Sequence, residues 1–187
     1  MNIMKMIEDL NIPVVNTHGR FDSANALLEF TRPLEGVEGF VVAWNDGHRV
    51  KVKAEQYLRI HKVKDLIATE RHIVSLVVNE ELDDVIPVLD SGDIEKIRLC
   101  EHQLQNSIES VLARLDGLVL LARTVYGGNK KEVALNFVPN LLFKEDARFV
   151  FLALDGKNIR EAVIDKIRNS VGNTTKYEQL KYWLEMN

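Results

Sequence analysis

Three charged residues have the types and spacing for phosphate chemistry. In the run Arg49-Val50-Lys51-Val52-Lys53 cations alternate with valines, so in a strand the cations share one face and the valines the other. Two ammonium groups two residues apart stand about 7 Å from each other, a separation that can straddle a phosphate. Glu38 opens the preceding run Glu38-Gly39-Phe40-Val41-Val42. A carboxylate there is placed to hold a divalent cation that shares phosphate oxygens with the lysines. The same pattern also describes an exposed hairpin with a polar outer face, and spacing alone leaves both readings open.

The elements that must position these groups follow from the neighbouring residues. Residues 39–44 are apolar and rich in Val and aromatics, and Asn45-Asp46-Gly47 then interrupts them with residues that tolerate positive φ. Strand, tight turn, strand is the expected arrangement. Beyond Lys53 a helix is expected, with Tyr57 and His61 four residues apart on one face.

In this order and separation the run EGFVVAWNDGHRVKVKAEQYLRIHK resembles the last two signature motifs of the covalent nucleotidyltransferases. That group includes ATP-dependent RNA ligases, DNA ligases and capping enzymes. The run is most similar to the phage T4 RNA ligase 1 family, in which the K-x-K strand leads into a helix carrying Tyr, His and Lys, matched here by Tyr57, His61 and Lys62. DNA ligases and capping enzymes continue into a β-rich oligonucleotide-binding fold. Here about 134 residues of helical character follow Lys53, which favours the RNA ligase.

The resemblance implies lysine adenylylation by ATP, transfer of AMP to a 5′-phosphate RNA end, and attack by a 3′-hydroxyl that expels AMP. By motif match, Glu38 would assist Mg2+, and Lys51 and Lys53 would stabilise charge on the transferring phosphate. All three would contact the nucleotide. The helical tail would help select RNA, in that family a tRNA with a broken anticodon loop. The family's nucleophile is a lysine in a K-x-D-G motif upstream of E-G, yet none of the 37 residues ahead of Glu38 belongs to such a motif. Lys144-Glu145-Asp146-Ala147 lacks the glycine and follows the K-x-K strand. The chain is therefore expected not to form the covalent intermediate alone, with ATP and Mg2+ used only in a completed enzyme. It would be a truncated product, one half of a split ligase completed by an amino-terminal fragment, or a ligase-derived module that binds RNA or protein without catalysis.

Local charge supports an RNA groove. Between Arg49 and Lys64 six cations (Arg49, Lys51, Lys53, Arg59, Lys62, Lys64) stand against one acid, Glu55. Of these Arg49, Arg59 and Lys62 are candidate RNA-backbone contacts. A net charge of −4 over the 187 residues argues against indiscriminate coating of nucleic acid. The single cysteine, Cys100, excludes an internal disulfide, suits a reducing cytoplasm and is expected as an apolar filler in a helix. No apolar run approaches the roughly 20 residues of a membrane span, so a cytoplasmic protein, in a host cell if phage-encoded, is expected. The five histidines form no metal-ligand spacing with Cys100, and no P-loop or dinucleotide glycine pattern occurs.

The expected fold class is α+β. A remnant of a nucleotidyltransferase sheet with a β-hairpin would occupy residues 1–62, and a mostly helical carboxy-terminal domain residues 63–187. Ahead of the hairpin, Met4, Ile7 and Leu10 suggest a short helix, Ile12 to Val15 a strand, and Asp22 or Ser23 a cap for a helix reaching Phe30. Ile94, Ile97, Leu104, Ile108, Val111, Leu115, Leu118, Ala122 and Val125, with Glu101 in the one break, predict a long helix or two joined near Gly117. Gly127-Gly128 would end it. The run 149–154 fits a strand or a buried helix, and the resemblance tips it to helix. Asn158-x-x-Glu161 and Thr175-x-x-Glu178 resemble caps of two final helices.

Overall fold

The computed structural model describes Leu10 and residues 15–186. The helix expected around Met4 and Ile7 and the strand expected from Ile12 fall outside that set except for Leu10 and Val15. The fold is α+β, one antiparallel hairpin among helices, and the chain divides into two compact units, Met1–Leu58 and Arg59–Asn187. The division falls inside a helix, Glu55–Leu66 (α2), slightly ahead of the boundary placed after residue 62 from the sequence.

In the first unit Ser23 caps α1 (Ala24–Thr31), its hydroxyl accepting the Ala26 N–H at 3.1 Å. Leu27 and Thr31 are buried on the inner side of α1. Phe30 lies 5.2 Å from Phe21 and 5.8 Å from Phe40 between ring centroids, a short aromatic row suited to a unit too small for a large core. β1 (Gly39–Ala43) and β2 (Arg49–Lys53) pair from Gly39↔Lys53 to Ala43↔Arg49. The turn between them is closed by the Trp44 carbonyl, which accepts the Gly47 N–H at 3.0 Å, and by the Trp44 N–H, which donates to His48 O at 2.8 Å. Gly47 takes φ 88°, so of the three turn residues it is the glycine that supplies the left-handed position of a three-residue hairpin loop. Among the described residues the sheet has two strands.

The second unit is built around α5 (Ser91–Tyr126), a single helix of 36 residues capped by Asp90 and ended by Gly127 at φ 58°. At 1.5 Å per residue it spans about 54 Å. Gly117 does not interrupt it. Its buried residues are Ile97, Cys100, Leu104, Ile108, Val111, Leu115, Val119 and Ala122. Three positions of the expected stripe therefore differ: Cys100 replaces Glu101 in the break, Val119 is buried where Leu118 was expected, and Val125 is 61% exposed. The physical reason is the period, since a strict three-four alternation repeats every 3.5 residues and a straight helix drifts about 20° per heptad away from it. The stripe forms an internal core with α3 (Glu70–Val78), α7 (Asp146–Leu154), α8 (Ile159–Val171) and α9 (Thr174–Leu184).

Between them lie the short helix α4 (Leu82–Val85), the turn α6 (Lys130–Glu132), and a π-helical turn, Val133–Phe137. Residues 149–154 are helical, as part of α7. Asn158 caps α8 by accepting the Glu161 N–H, but the cap of α9 is Asn173, which accepts the Lys176 N–H at 3.0 Å. Thr175 is already inside the helix, because Asn at N-cap offers its carbonyl one residue before the Thr174-Thr175 pair can compete. A buried polar knot joins α5, α7 and α9. Asp146 accepts from Arg114 Nε at 3.1 Å and from Trp183 Nε1 at 2.7 Å, while Arg114 Nη2 donates to the Trp183 carbonyl at 3.1 Å. Asp146, in the run Lys144-Glu145-Asp146-Ala147 that lacks the motif glycine, thus sits inside a hydrogen-bonded ion pair. Burial raises the Cys100 thiol to about 11, which leaves it an inert apolar filler.

Candidate functional site

The hairpin register decides which charges meet. Lys51 pairs with Val41 and Lys53 with Gly39, so the lysines stand beside the chain as it enters β1. Glu38 is the residue before that strand, and its carbonyl accepts the Ala54 N–H at 3.0 Å, extending the pairing by one step. Gly39 makes this approach possible: it takes φ 138°, and a Cβ on it would lie 2.0 Å from the Val52 carbonyl oxygen. An L side chain there would force the strands apart.

The result is a cluster of three charges and one phenol. Glu38 Oε1 accepts from Lys51 Nζ at 2.6 Å and lies 3.9 Å from Lys53 Nζ. The Lys53 ammonium stands 5.0 Å from the centroid of the Tyr57 ring, a cation–π distance. The Tyr57 hydroxyl donates to the Glu38 carboxylate. These bonds, with that from Lys51 first and that from Tyr57 second, hold the Glu38 carboxyl below its ordinary range, and the Glu38 carboxylate raises Lys51 in turn. Tyr57 is raised as well, first by desolvation and then by the neighbouring carboxylate. At neutral pH Glu38 is therefore an anion, Lys51 a cation and Tyr57 a neutral phenol.

The three side chains are about half exposed, open to a ligand from solvent. Two ammoniums on one strand face suit a phosphate oxyanion. Glu38 alone does not make a metal site, since among the described residues no three His, Cys, Asp or Glu side chains come together. A lone carboxylate fits Mg2+ in the manner in which that ion is commonly bound, completed by phosphate oxygens and water.

Of the residues singled out from the sequence, Glu38, Lys51 and Lys53 are brought together. Arg49 extends the same strand face and is exposed; Arg59 and Lys62 are exposed on α2, in the second unit. His61 is exposed on the same helix. In the sequence Tyr57 is only a motif match, and its double contact with Glu38 and Lys53 arises in the fold. The available signal was its position four residues after Lys53, in the first turn of the helix that the strand runs into. A separate concavity of about 360 Å3 lies in the helical unit, lined chiefly by Leu118, Tyr126, Phe137 and Leu141, with the Arg114–Asp146 pair at its edge. Its two charged groups already satisfy each other.

Set against known protein families, curated proteins and solved structures, the chain matches none.

Proposed function

We propose that the chain is the carboxy-terminal part of an ATP-dependent RNA ligase that seals 5′-phosphate and 3′-hydroxyl ends, with tRNA repair as its setting. The observation that carries this reading is the convergence of Glu38 on both Lys51 and Lys53, within 3.9 Å, at the positions of the E-G and K-x-K motifs. Lys51 and Lys53 bind the reacting phosphate and stabilise the charge that develops on it. Glu38 supplies the protein oxygen for Mg2+, and the ion, when bound, neutralises phosphate charge. Tyr57 orients Glu38 and Lys53. The nucleophilic lysine is absent from these residues, so the reading requires it from sequence outside them. The helical unit, with its own core, helps select the RNA substrate.

The test mixes the full chain with an amino-terminal nucleotidyltransferase fragment bearing K-x-D-G, and measures AMP labelling and sealing of a nicked tRNA. Sealing is expected, and Lys51→Ala with Lys53→Ala should lower it by about a hundredfold or more. Activity that survives the double substitution sinks the assignment. Absence of sealing together with salt-sensitive retention of tRNA points instead to a non-catalytic RNA-binding module.

A further inference from the structure

Lys51 and Lys53 do not stand empty-handed. The Glu38 carboxylate already occupies the space between them, 2.6 Å from one ammonium and 3.9 Å from the other. Its backbone has little freedom to withdraw, because its carbonyl is bonded to Ala54 and Gly39 is pressed against the Val52 carbonyl. Tyr57 steadies the arrangement at both ends, with its hydroxyl on Glu38 and its ring beneath Lys53.

We infer that Glu38 is a built-in anion that latches the Lys51–Lys53 phosphate site, and that a divalent cation opens the latch, so that cation and phosphate bind cooperatively. The inference rests on the phosphate-site reading above and adds to it how the site is gated. Without a cation, an incoming phosphate must share ammoniums already engaged and come within about 4 Å of a like charge. In water that proximity lowers affinity about fivefold per pair of unit charges. A cation that takes the Glu38 carboxylate frees the Lys51 donor, relieves Lys53 of its ion pair and turns the carboxylate side of the site from repulsive to attractive. The movement needed is a side-chain rotation of Glu38, with the strands unchanged.

The test is calorimetric titration of inorganic pyrophosphate into the full chain, with and without Mg2+. Wild type is compared with Glu38→Gln, with Lys51→Met and with Lys53→Met. Each comparison is made at one Mg2+ concentration, so that the ion's own effect on pyrophosphate cancels. Glu38→Gln keeps the size of the side chain at an exposed position, and circular dichroism checks that each variant is folded. In the absence of Mg2+, Glu38→Gln should bind pyrophosphate roughly fivefold more tightly than wild type. Added Mg2+ should strengthen binding to wild type by a larger factor than binding to Glu38→Gln. Equal or weaker metal-free binding by Glu38→Gln overturns the latch, and the phosphate reading still stands if either lysine variant loses affinity. Lysine variants that bind like wild type, or no binding by wild type and Glu38→Gln alike, overturn the phosphate reading and the latch together.

Discussion

Gly39 shows how one residue can govern a site without touching a ligand. Its missing side chain lets Glu38 enter beside β2, and both its φ of 138° and the 2.0 Å approach of a hypothetical Cβ to the Val52 carbonyl forbid a substitute. Gly39→Ala should destabilise the hairpin by ~2–4 kcal/mol. It should also speed hydrogen exchange at the amides of Phe40 and Val52, a hydrogen-bonded pair of the ladder, while leaving those of α5 protected. Unchanged protection in the hairpin would remove the role given to the glycine. The charged residues around it are individually replaceable in packing terms, since each is about half exposed. Their effect should therefore appear in phosphate binding and leave stability nearly untouched.

At the scale of elements, α5 organises the helical unit, and its sequence carries two instructive positions. Gly117 is exposed, and a Cβ added to it meets nothing within 4 Å, so its conformational freedom is a cost with no packing return. Gly117→Ala is expected to raise stability by about 0.5–1 kcal/mol in urea denaturation; a loss would mean that the helix bends there. At the other end of α5, Asp90 caps the first turn by accepting the Asp93 N–H at 3.0 Å and pairs with Lys64 at 2.7 Å. The Lys64 bond, and next the backbone bond, hold its carboxyl below the ordinary carboxylate range. A folded-state value below the unfolded one means stabilisation that is fully present above about pH 4, the usual carboxylate value. It is lost as the pH falls through the lowered value. Asp90→Asn keeps a capping side chain without the charge. Wild type should therefore melt above Asp90→Asn at pH 7, and the gap should close on acidification; a gap that widens in acid would contradict the pairing.

At the scale of the molecule the two units differ in how they are held. The first relies on an aromatic row, a two-stranded hairpin and three buried side chains, Leu27, Thr31 and Ala54. The second closes a core around Ile97, Leu104, Leu115, Phe149, Ile167 and Trp183, joined across three helices by Arg114 and Asp146. A fragment of residues 55–187, which keeps α2 whole, should fold by itself. It should give a helical circular dichroism spectrum and a single cooperative melt. A broad, non-cooperative transition would show that the helices need the hairpin unit. Among the described residues no helix is long and apolar enough to cross a membrane.

Period and turn chemistry made the hairpin, α1, the long helix and the α8 cap legible in the chain itself, because each depends on residues within a few positions of one another. The face shared by Lys51 and Lys53 was legible for the same reason. Other features depend on groups brought together from a distance. Residues 149–154 are helical because Phe149, Val150 and Ala153 find buried partners, and no local pattern separates that outcome from a strand. Cys100 and Val119 enter the core of α5 because a straight helix turns through 3.6 residues and its neighbours lie along that line. The cluster of Glu38 with Lys51, Lys53 and Tyr57 crosses two strands and a helix. Sequence alone placed two cations on one strand and a carboxylate at the start of another. Only strand register, made possible by a glycine with no room for a side chain, decided that the carboxylate would lie between them.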